Sequence, residues 1–352
     1  MTTPLQFSLP TIPDLGDAAL AMDLQHILDC KTKPQGALGQ LEALAVQLGL
    51  ILGTETPHLV APQLLVFAGD HGLANQGVSA YTSDATRQTV DNILAGGAAV
   101  SVLARQHSLA LTVVDCGVQH DFLPTGQTER AGANGLPNLL VRKIAAGTAD
   151  SSQQPAMTVE QCQQAMAQGL ALVQSLPGNS LLFGDTGIGN SSSASLLLAR
   201  LAELDISVCT GTNTGLDEDA VSRKTTILAR VLQRHAHAAG PMAALAAFGG
   251  YEIATMVGAV LQAAHERRVM LIDGFTASSA VMVAQAFAPH VVQRCVFAHH
   301  SGERNHALMM NKLGVEPLLS MGLRLGEGSG AALAWPLLES ACRVLNEMAT
   351  RD

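Results

Sequence analysis

Short apolar runs that end in glycine or acid alternate along this chain with longer stretches of helical period. Six runs read as buried strands: 64–68, 109–115, 181–183, 206–210, 269–273 and 295–298. Between and around them the apolar positions recur every three to four residues. Residues 14–30 place Leu15, Ala19, Leu20, Leu24, Ile27 and Leu28 on such a period, and 38–51 repeat it with Leu41, Leu44, Leu48 and Leu50. Further helices are predicted over 84–104, 159–176, 194–202, 217–238, 241–264, 277–288, 304–313 and 331–348. Residues 119–158 are rich in Gly, Asn, Thr and Pro and read as a long functional loop.

Strands alternating with helices predict an α/β fold: a three-layer α/β/α, Rossmann-like domain with a mostly parallel sheet of about six strands. That domain is expected to span 61–330. The strandless segments 1–60 and 331–352 are expected to pair as a small helical subdomain. In such a sheet, ligands bind beyond the carboxyl ends of the strands. Polar and glycine-rich residues recur at those ends: Asp70, Asp115, Asp185, the 211–215 loop, Asp273 and Ser301.

The stretch 181–195 is the most informative of them. A short strand runs into Gly184, Gly187 and Gly189, and Asn190 with Ser191, Ser192 and Ser193 can cap the helix that follows. Strand, glycine turn and helix start aim backbone N–H groups and a positive dipole end at one point, where a phosphate would be stabilised. The pattern is neither the dinucleotide fingerprint nor a P-loop, because no lysine follows the last glycine. A strand-to-helix turn with no ligand would need the same glycines.

Composition narrows the class. The chain has 352 residues, 48% of them hydrophobic, enough for one large domain and a smaller one. A net charge of −9 without a basic cluster argues against nucleic acid, and 3% aromatics leave little for stacking on single strands. No apolar run reaches membrane length, and residues 1–30 lack a secretory pattern. Cys30, Cys116, Cys162, Cys209, Cys295 and Cys342 are scattered without paired spacing, which disfavours zinc and disulfide frameworks. A reduced, cytoplasmic enzyme is expected. His300, Glu303 and His306 fall three apart and drift around a helix rather than converge, so no metal site is expected there. His71 is either a ligand-side hydrogen-bond donor or a buried structural histidine, and His235 and His237 are expected to be solvated.

Several stretches together carry a family resemblance: Phe67-Ala-Gly-Asp70-His-Gly72; Gln88 with Gly96-Gly-Ala-Ala99; Gly184 to Asn190; Gly215-Leu-Asp217 with Arg223-Lys224; Asp273-Gly-Phe275; and Leu325-Gly-Glu-Gly328. Spread over most of the chain, they resemble the nicotinate-nucleotide–dimethylbenzimidazole phosphoribosyltransferases of cobalamin biosynthesis. The resemblance implies transfer of phosphoribose from nicotinate mononucleotide to dimethylbenzimidazole with inversion at the anomeric carbon, giving α-ribazole phosphate. It implies no cofactor and no metal. Two small-molecule substrates and a homodimer follow from it, with no nucleic acid and no membrane. By the same resemblance Glu327 is the general base, with Asp185 and Lys224 as further catalytic groups. The azole would meet Ser79, Tyr81, Gln88 and Leu325. The nucleotide would meet Gly187, Ile188, Gly189, Asn190, Ser191, Gly211, Asn213, Gly215, Gly274 and Ser301. Asp185 stands where relatives usually carry glutamate, Asn213 where they more often carry glycine, and Thr82 where they often carry proline. Glu327 read without the family is an acid favoured by the dipole of a helix start. Transfer to a different acceptor base, and a nucleotide-binding regulatory module without catalysis, are the competing functions.

Overall fold

The computed structural model describes residues 7–211, 218–302 and 304–351. Its strands are β1 (Gln63–Gly69), β2 (Ala110–Gly117), β3 (Glu129–Arg130), β4 (Asn138–Val141), β5 (Ser180–Thr186), β6 (Val269–Ile272) and β7 (Cys295–Phe297). Its helices are α1 (Ala18–Asp29), α2 (Gln40–Leu52), α3 (Asp84–Leu94), α4 (Ala99–Gln106), α5 (Val159–Ser175), α6 (Asn190–Leu201) and α7 (Ile206–Cys209). They continue as α8 (Glu218–Arg234), α9 (Pro241–Phe248), α10 (Tyr251–His265), α11 (Phe275–Phe287), α12 (Arg304–Leu313) and α13 (Ser329–Glu347).

The strands form one seven-stranded sheet in the order β3-β4-β2-β1-β5-β6-β7. All neighbours are parallel except β3, which runs antiparallel to β4 at the edge. From β1 the chain moves outward to β2 and β4, then returns to β5 on the other side of β1 and moves outward again. The order therefore reverses between β1 and β5, and the crevice beyond their carboxyl ends is where such sheets bind ligands.

Strand alternation divides the core between the two faces. Leu65, Phe67, Val114, Leu181, Phe183, Met270 and Ile272 face α5, α6 and α8 to α12. Leu64, Val66, Leu111, Val113, Leu182, Leu271 and Val296 face α1 to α4 and α13. On the first face the fully buried rings of Phe67 and Phe183 stack, with centroids 6.0 Å apart and planes 4° from parallel. Such a pair contributes about 0.5–1.5 kcal/mol beyond its buried area, and it locks β1 to β5 just below the crevice.

Several sequence expectations are corrected. Residues 206–210 are not a strand. Asp205 accepts a hydrogen bond from Ser207 N at 2.8 Å and caps the short helix α7, while Ile206 and Cys209 bury one helical face. The 119–158 stretch is not all loop, since β3 and β4 lie within it and extend the sheet past β2. The sheet therefore has six mutually parallel strands, but β4 rather than 206–210 supplies one of them. The helix expected over 84–104 breaks at Gly96-Gly97 into α3 and α4. The one over 241–264 breaks at Gly249-Gly250 into α9 and α10. Nor do Asn190 and the serines cap α6. Gly189 is its N-cap, at φ 98°, and no side chain bonds there. His235 is buried and its Nε2 lies 2.8 Å from Ser151 O, whereas His237 is exposed.

The α5–α10 crossing depends on glycine for its close approach. A Cβ on Gly169 would fall on the Thr255 carbonyl, and one on Gly258 on the Met166 carbonyl. Gly169→Ala is therefore expected to destabilise the fold by at least about 1–3 kcal/mol through overpacking, read as a lower Tm in thermal denaturation. An unchanged Tm would contradict the close approach.

Candidate active site

A cavity of about 430 Å³ opens at the carboxyl ends of β5, β6 and β7. Three helix starts border it: Gly187 to Ser191 opening α6, Gly274 to Thr276 opening α11, and Gly326-Glu327 ahead of α13. All three N-caps are glycine (Gly189, Gly274, Gly328) and none makes a side-chain cap bond. Such starts turn positive dipole ends toward the cavity.

The start of α13 is capped from a distance. Asp273, at the end of β6, accepts Gly328 N at 3.1 Å and Ala331 N at 2.9 Å. Glu327 N in turn donates to Asp185 O at 3.1 Å, joining the same loop to β5. The fit is close, because a Cβ on Gly184 would collide with the Gly328 backbone. Held from both sides, Glu327 takes φ 63°, a left-handed conformation that costs a residue other than glycine about 1 kcal/mol or more.

Acids crowd this end of the sheet. Burial raises the Asp185 carboxyl to about 8, with the negative charges of Asp273 and Glu252 adding to the effect. Thr276 and the Ala277 N–H pull it the other way. Burial, and then the charge of Asp273, lift Glu327 to about 7. Asp273 is also raised by burial, against the opposing influence of His299, whose Nδ1 lies 3.8 Å from Oδ1. Asp185 is committed, accepting Asn190 Nδ2 at 2.8 Å. Among the described residues, no hydrogen bond reaches the Glu327 carboxyl. A free carboxylate that titrates near neutrality is suited to take a proton from a ligand.

Of the residues expected from the sequence, Glu327, Asp185, Ser79, Tyr81, Leu325, Gly187, Ile188, Gly189, Asn190, Ser191, Gly274 and Ser301 line the cavity. Tyr81 and Leu325 are more than half exposed at its mouth. Lys224 is fully buried on α8 and does not line the cavity; its Nζ lies 3.4 Å from the Ser191 hydroxyl, which does. Gln88 is exposed and does not line the cavity; Ala85 and Thr89 are the α3 residues that do. Gly211 is buried and off the cavity wall, while Asn213 and Gly215 lie outside the described residues. Sequence reasoning missed Thr89, Thr276, His299 and Arg324. The position of His299 after the last strand was the available signal. His71 is buried, away from the cavity wall, and bonded to Glu252 and Ser193. His306 is buried with Nδ1 against Ser301, and burial, followed by the nearby charges of His299 and His300, pushes it down to about 3. Glu303 lies outside the described residues.

A phosphoribosyltransferase family model matches residues 14–352. A nicotinate-nucleotide–dimethylbenzimidazole phosphoribosyltransferase from Variovorax paradoxus is 64% identical over 97% of this chain and 95% of its own length. The chain belongs to this phosphoribosyltransferase family. The enzyme of the same name from Cupriavidus necator is 51% identical over 97% of this chain and 96% of its own. The crystal structure of the Thermus thermophilus member superposes with a TM-score of 0.86 at 36% identity, covering 95% of this chain and 97% of that one. The sheet and its flanking helices are thus the family's fold. No helix among the described residues is long and apolar enough to cross a membrane.

The raised carboxylates give stability a definite pH dependence. Between the unfolded and folded pKa values the native state holds protons that the unfolded chain has released, so stability falls as pH rises. The ligand-free protein is expected to lose Tm between about pH 5 and pH 8, the window set by Asp185 and Glu327, and Asp185→Asn should flatten that slope. A Tm that rose through this range would refute the burial of these acids in protonated form.

Proposed function

We propose that this protein transfers the 5-phosphoribosyl group of nicotinate mononucleotide to dimethylbenzimidazole, releasing nicotinate and forming α-ribazole 5'-phosphate for the cobalamin nucleotide loop. The observation that carries the reading is Glu327: an uncommitted carboxylate, raised to about 7, on the wall of a cavity bordered by glycine-capped helix starts. The names of relatives 64% and 51% identical support it.

In the proposed reaction an azole nitrogen attacks the ribose anomeric carbon from the face opposite nicotinate. The bond from that carbon to the pyridinium nitrogen breaks, and its electron pair neutralises the ring as nicotinate leaves. The other azole N–H, made acidic by the attack, gives its proton to Glu327. The leaving group is already cationic, so the step calls for neither metal nor cofactor. Ionised Glu327 also opposes the positive charge that builds on the azole, a term strengthened where water is excluded.

The phosphate is assigned to Gly187, Ile188, Gly189, Asn190 and Ser191, with Gly274 and Ser301 facing it across the cavity. Lys224 would add a positive charge behind Ser191. Ser79, Tyr81 and Leu325 are assigned to the azole, and Gln88, turned to solvent, is left out. The small helical subdomain would comprise α1, α2 and α13, which share one apolar cluster.

Glu327→Gln should lower kcat by about 10²–10⁴-fold while sparing nucleotide binding, since shape is kept and basicity lost. The base must be ionised, so kcat/KM of the free enzyme should fall as pH drops below about 7. Nicotinate release from nicotinate mononucleotide with dimethylbenzimidazole measures both. Near-normal turnover by the variant would reject Glu327 as the base.

The working form is proposed to be a homodimer whose partner covers the cavity mouth, where Tyr81 and Leu325 are exposed. Covering that mouth would exclude water that competes for the anomeric carbon. Light scattering should report a dimer, and specific activity should fall on dilution in step with dissociation. A fully active monomer would overturn it.

A further inference from the structure

Behind the start of α6 lies a buried chain of polar groups that the proposed mechanism does not use. His71, just past β1, has Nε2 2.6 Å from Glu252 Oε1 and Nδ1 2.9 Å from Ser193 Oγ. All three side chains are at least nine-tenths buried, and none lines the cavity. Glu252 opens α10, and Ser193 sits in the first turn of α6. The imidazole thus bridges two helices at the end of the strand where the sheet order reverses.

The surroundings fix the ring closely. Gly189, the N-cap of α6, packs against the His71 Cβ, and a Cβ on Gly250 would strike the imidazole. A Cβ on Gly69 would strike the second Glu252 oxygen, which has no hydrogen-bond partner of its own. Burial disfavours the imidazolium, but the charge and hydrogen bond of Glu252, with Asp70 and Asp185 beyond, raise His71 above its ordinary value. Thr86 Oγ1 accepts Ile188 N at 3.1 Å, holding the glycine turn from the α3 side as His71 holds it from below.

We propose that the Glu252–His71–Ser193 chain positions the first turn of α6 for the nucleotide phosphate, with His71 acting through Ser193 as a positioning residue that never touches substrate. This rests on the assignment of the phosphate to that turn. The consequence is selective. Breaking the link to Ser193 loosens the helix start and its N–H groups, and so weakens nucleotide binding. Breaking the link to Glu252 leaves a buried carboxylate unpaired and so weakens the fold.

Substitutions can separate the two links. His71→Asn places an amide near the Nδ1 position, within reach of Ser193 but not of Glu252. His71→Gln reaches toward Glu252 and abandons Ser193. Ser193→Ala removes the helix link and leaves the His71–Glu252 pair in place. Nicotinate mononucleotide without acceptor is titrated calorimetrically into each protein, and kcat, both KM values and Tm are measured alongside.

Ser193→Ala and His71→Gln should bind nicotinate mononucleotide about tenfold more weakly, the weight of one net hydrogen bond. Their kcat should stay within about twofold and the dimethylbenzimidazole KM should be unchanged. His71→Asn should keep nucleotide affinity near wild type despite the lowest Tm of the set. The positioning role is overturned if Ser193→Ala binds the nucleotide normally, a result that does not depend on whether the His71 variants fold. It is equally overturned if affinity follows Tm across the series, as a purely structural role requires. Wild-type protein that neither binds nor turns over nicotinate mononucleotide would reject the functional reading itself and the positioning role with it. Wild-type activity with unaffected variants would reject the positioning role alone.

Discussion

One carboxylate at the end of β6 holds the site in shape. Asp273 accepts two backbone N–H groups of the α13 start and so does for this helix what a local cap does elsewhere. Each such charge-assisted bond is worth about 1.5–3 kcal/mol, and together they fix the residue just ahead of the helix, Glu327. The same negative charge raises the Glu327 carboxyl, in addition to the larger effect of burial. Asp273 therefore contributes to both the position and the basicity of the proposed base, alongside the Asp185 carbonyl that holds its N–H. Neutralising Asp273 would change both at once, which makes it a poor site for separating the two effects by mutation.

The electrostatic pattern around the cavity matches a ligand of mixed charge. Glycine-capped starts of α6 and α11 offer positive dipole ends, while Asp185, Asp273, Glu252 and Glu327 gather negative potential within the same region. A simple dianion would be repelled by the acids, and a simple cation would gain nothing from the helix starts. A nucleotide with a phosphate at one end and a pyridinium at the other uses both. Crowding of the acids favours the protonated form of Asp185 near neutrality and so relieves their mutual repulsion. A cation seated beside that carboxyl would favour its ionised form, so nucleotide binding and proton release are linked.

Much of this was legible in the sequence, and the failures have physical reasons. The apolar runs at 64–68, 181–183 and 269–273 are buried on both faces, and Gly69 and Gly184, which end the first two, are required by close approach; both leave strong local signals. The 206–210 run misled because a four-residue helix capped by Asp205 buries the same residue types as a short strand. Strand β4 went unread because it is only Asn138–Val141, in a stretch dominated by turn formers. The Glu252–His71–Ser193 chain could not be read at all: its bonds span separations of 181 and 122 residues, and no local pattern encodes them. Glu327 stands out in the sequence mainly through the family resemblance of Leu325-Gly-Glu-Gly328, whereas its dependence on Asp273 is a tertiary fact.

Two carboxyls with raised pKa values border the cavity, and their surroundings divide the work between them. Asp185 is almost wholly buried and accepts a hydrogen bond from Asn190 at the start of α6, while Thr276 and the Ala277 N–H at the start of α11 favour its ionised form. Moving its short side chain toward a ligand would break the bond to Asn190. Glu327 is less buried and has no bond on its carboxyl to lose. A base must reach its proton and then carry it, and only the uncommitted group can do so without dismantling its surroundings. Asp185 therefore suits a brace for the start of α6, and Glu327 remains the proposed base.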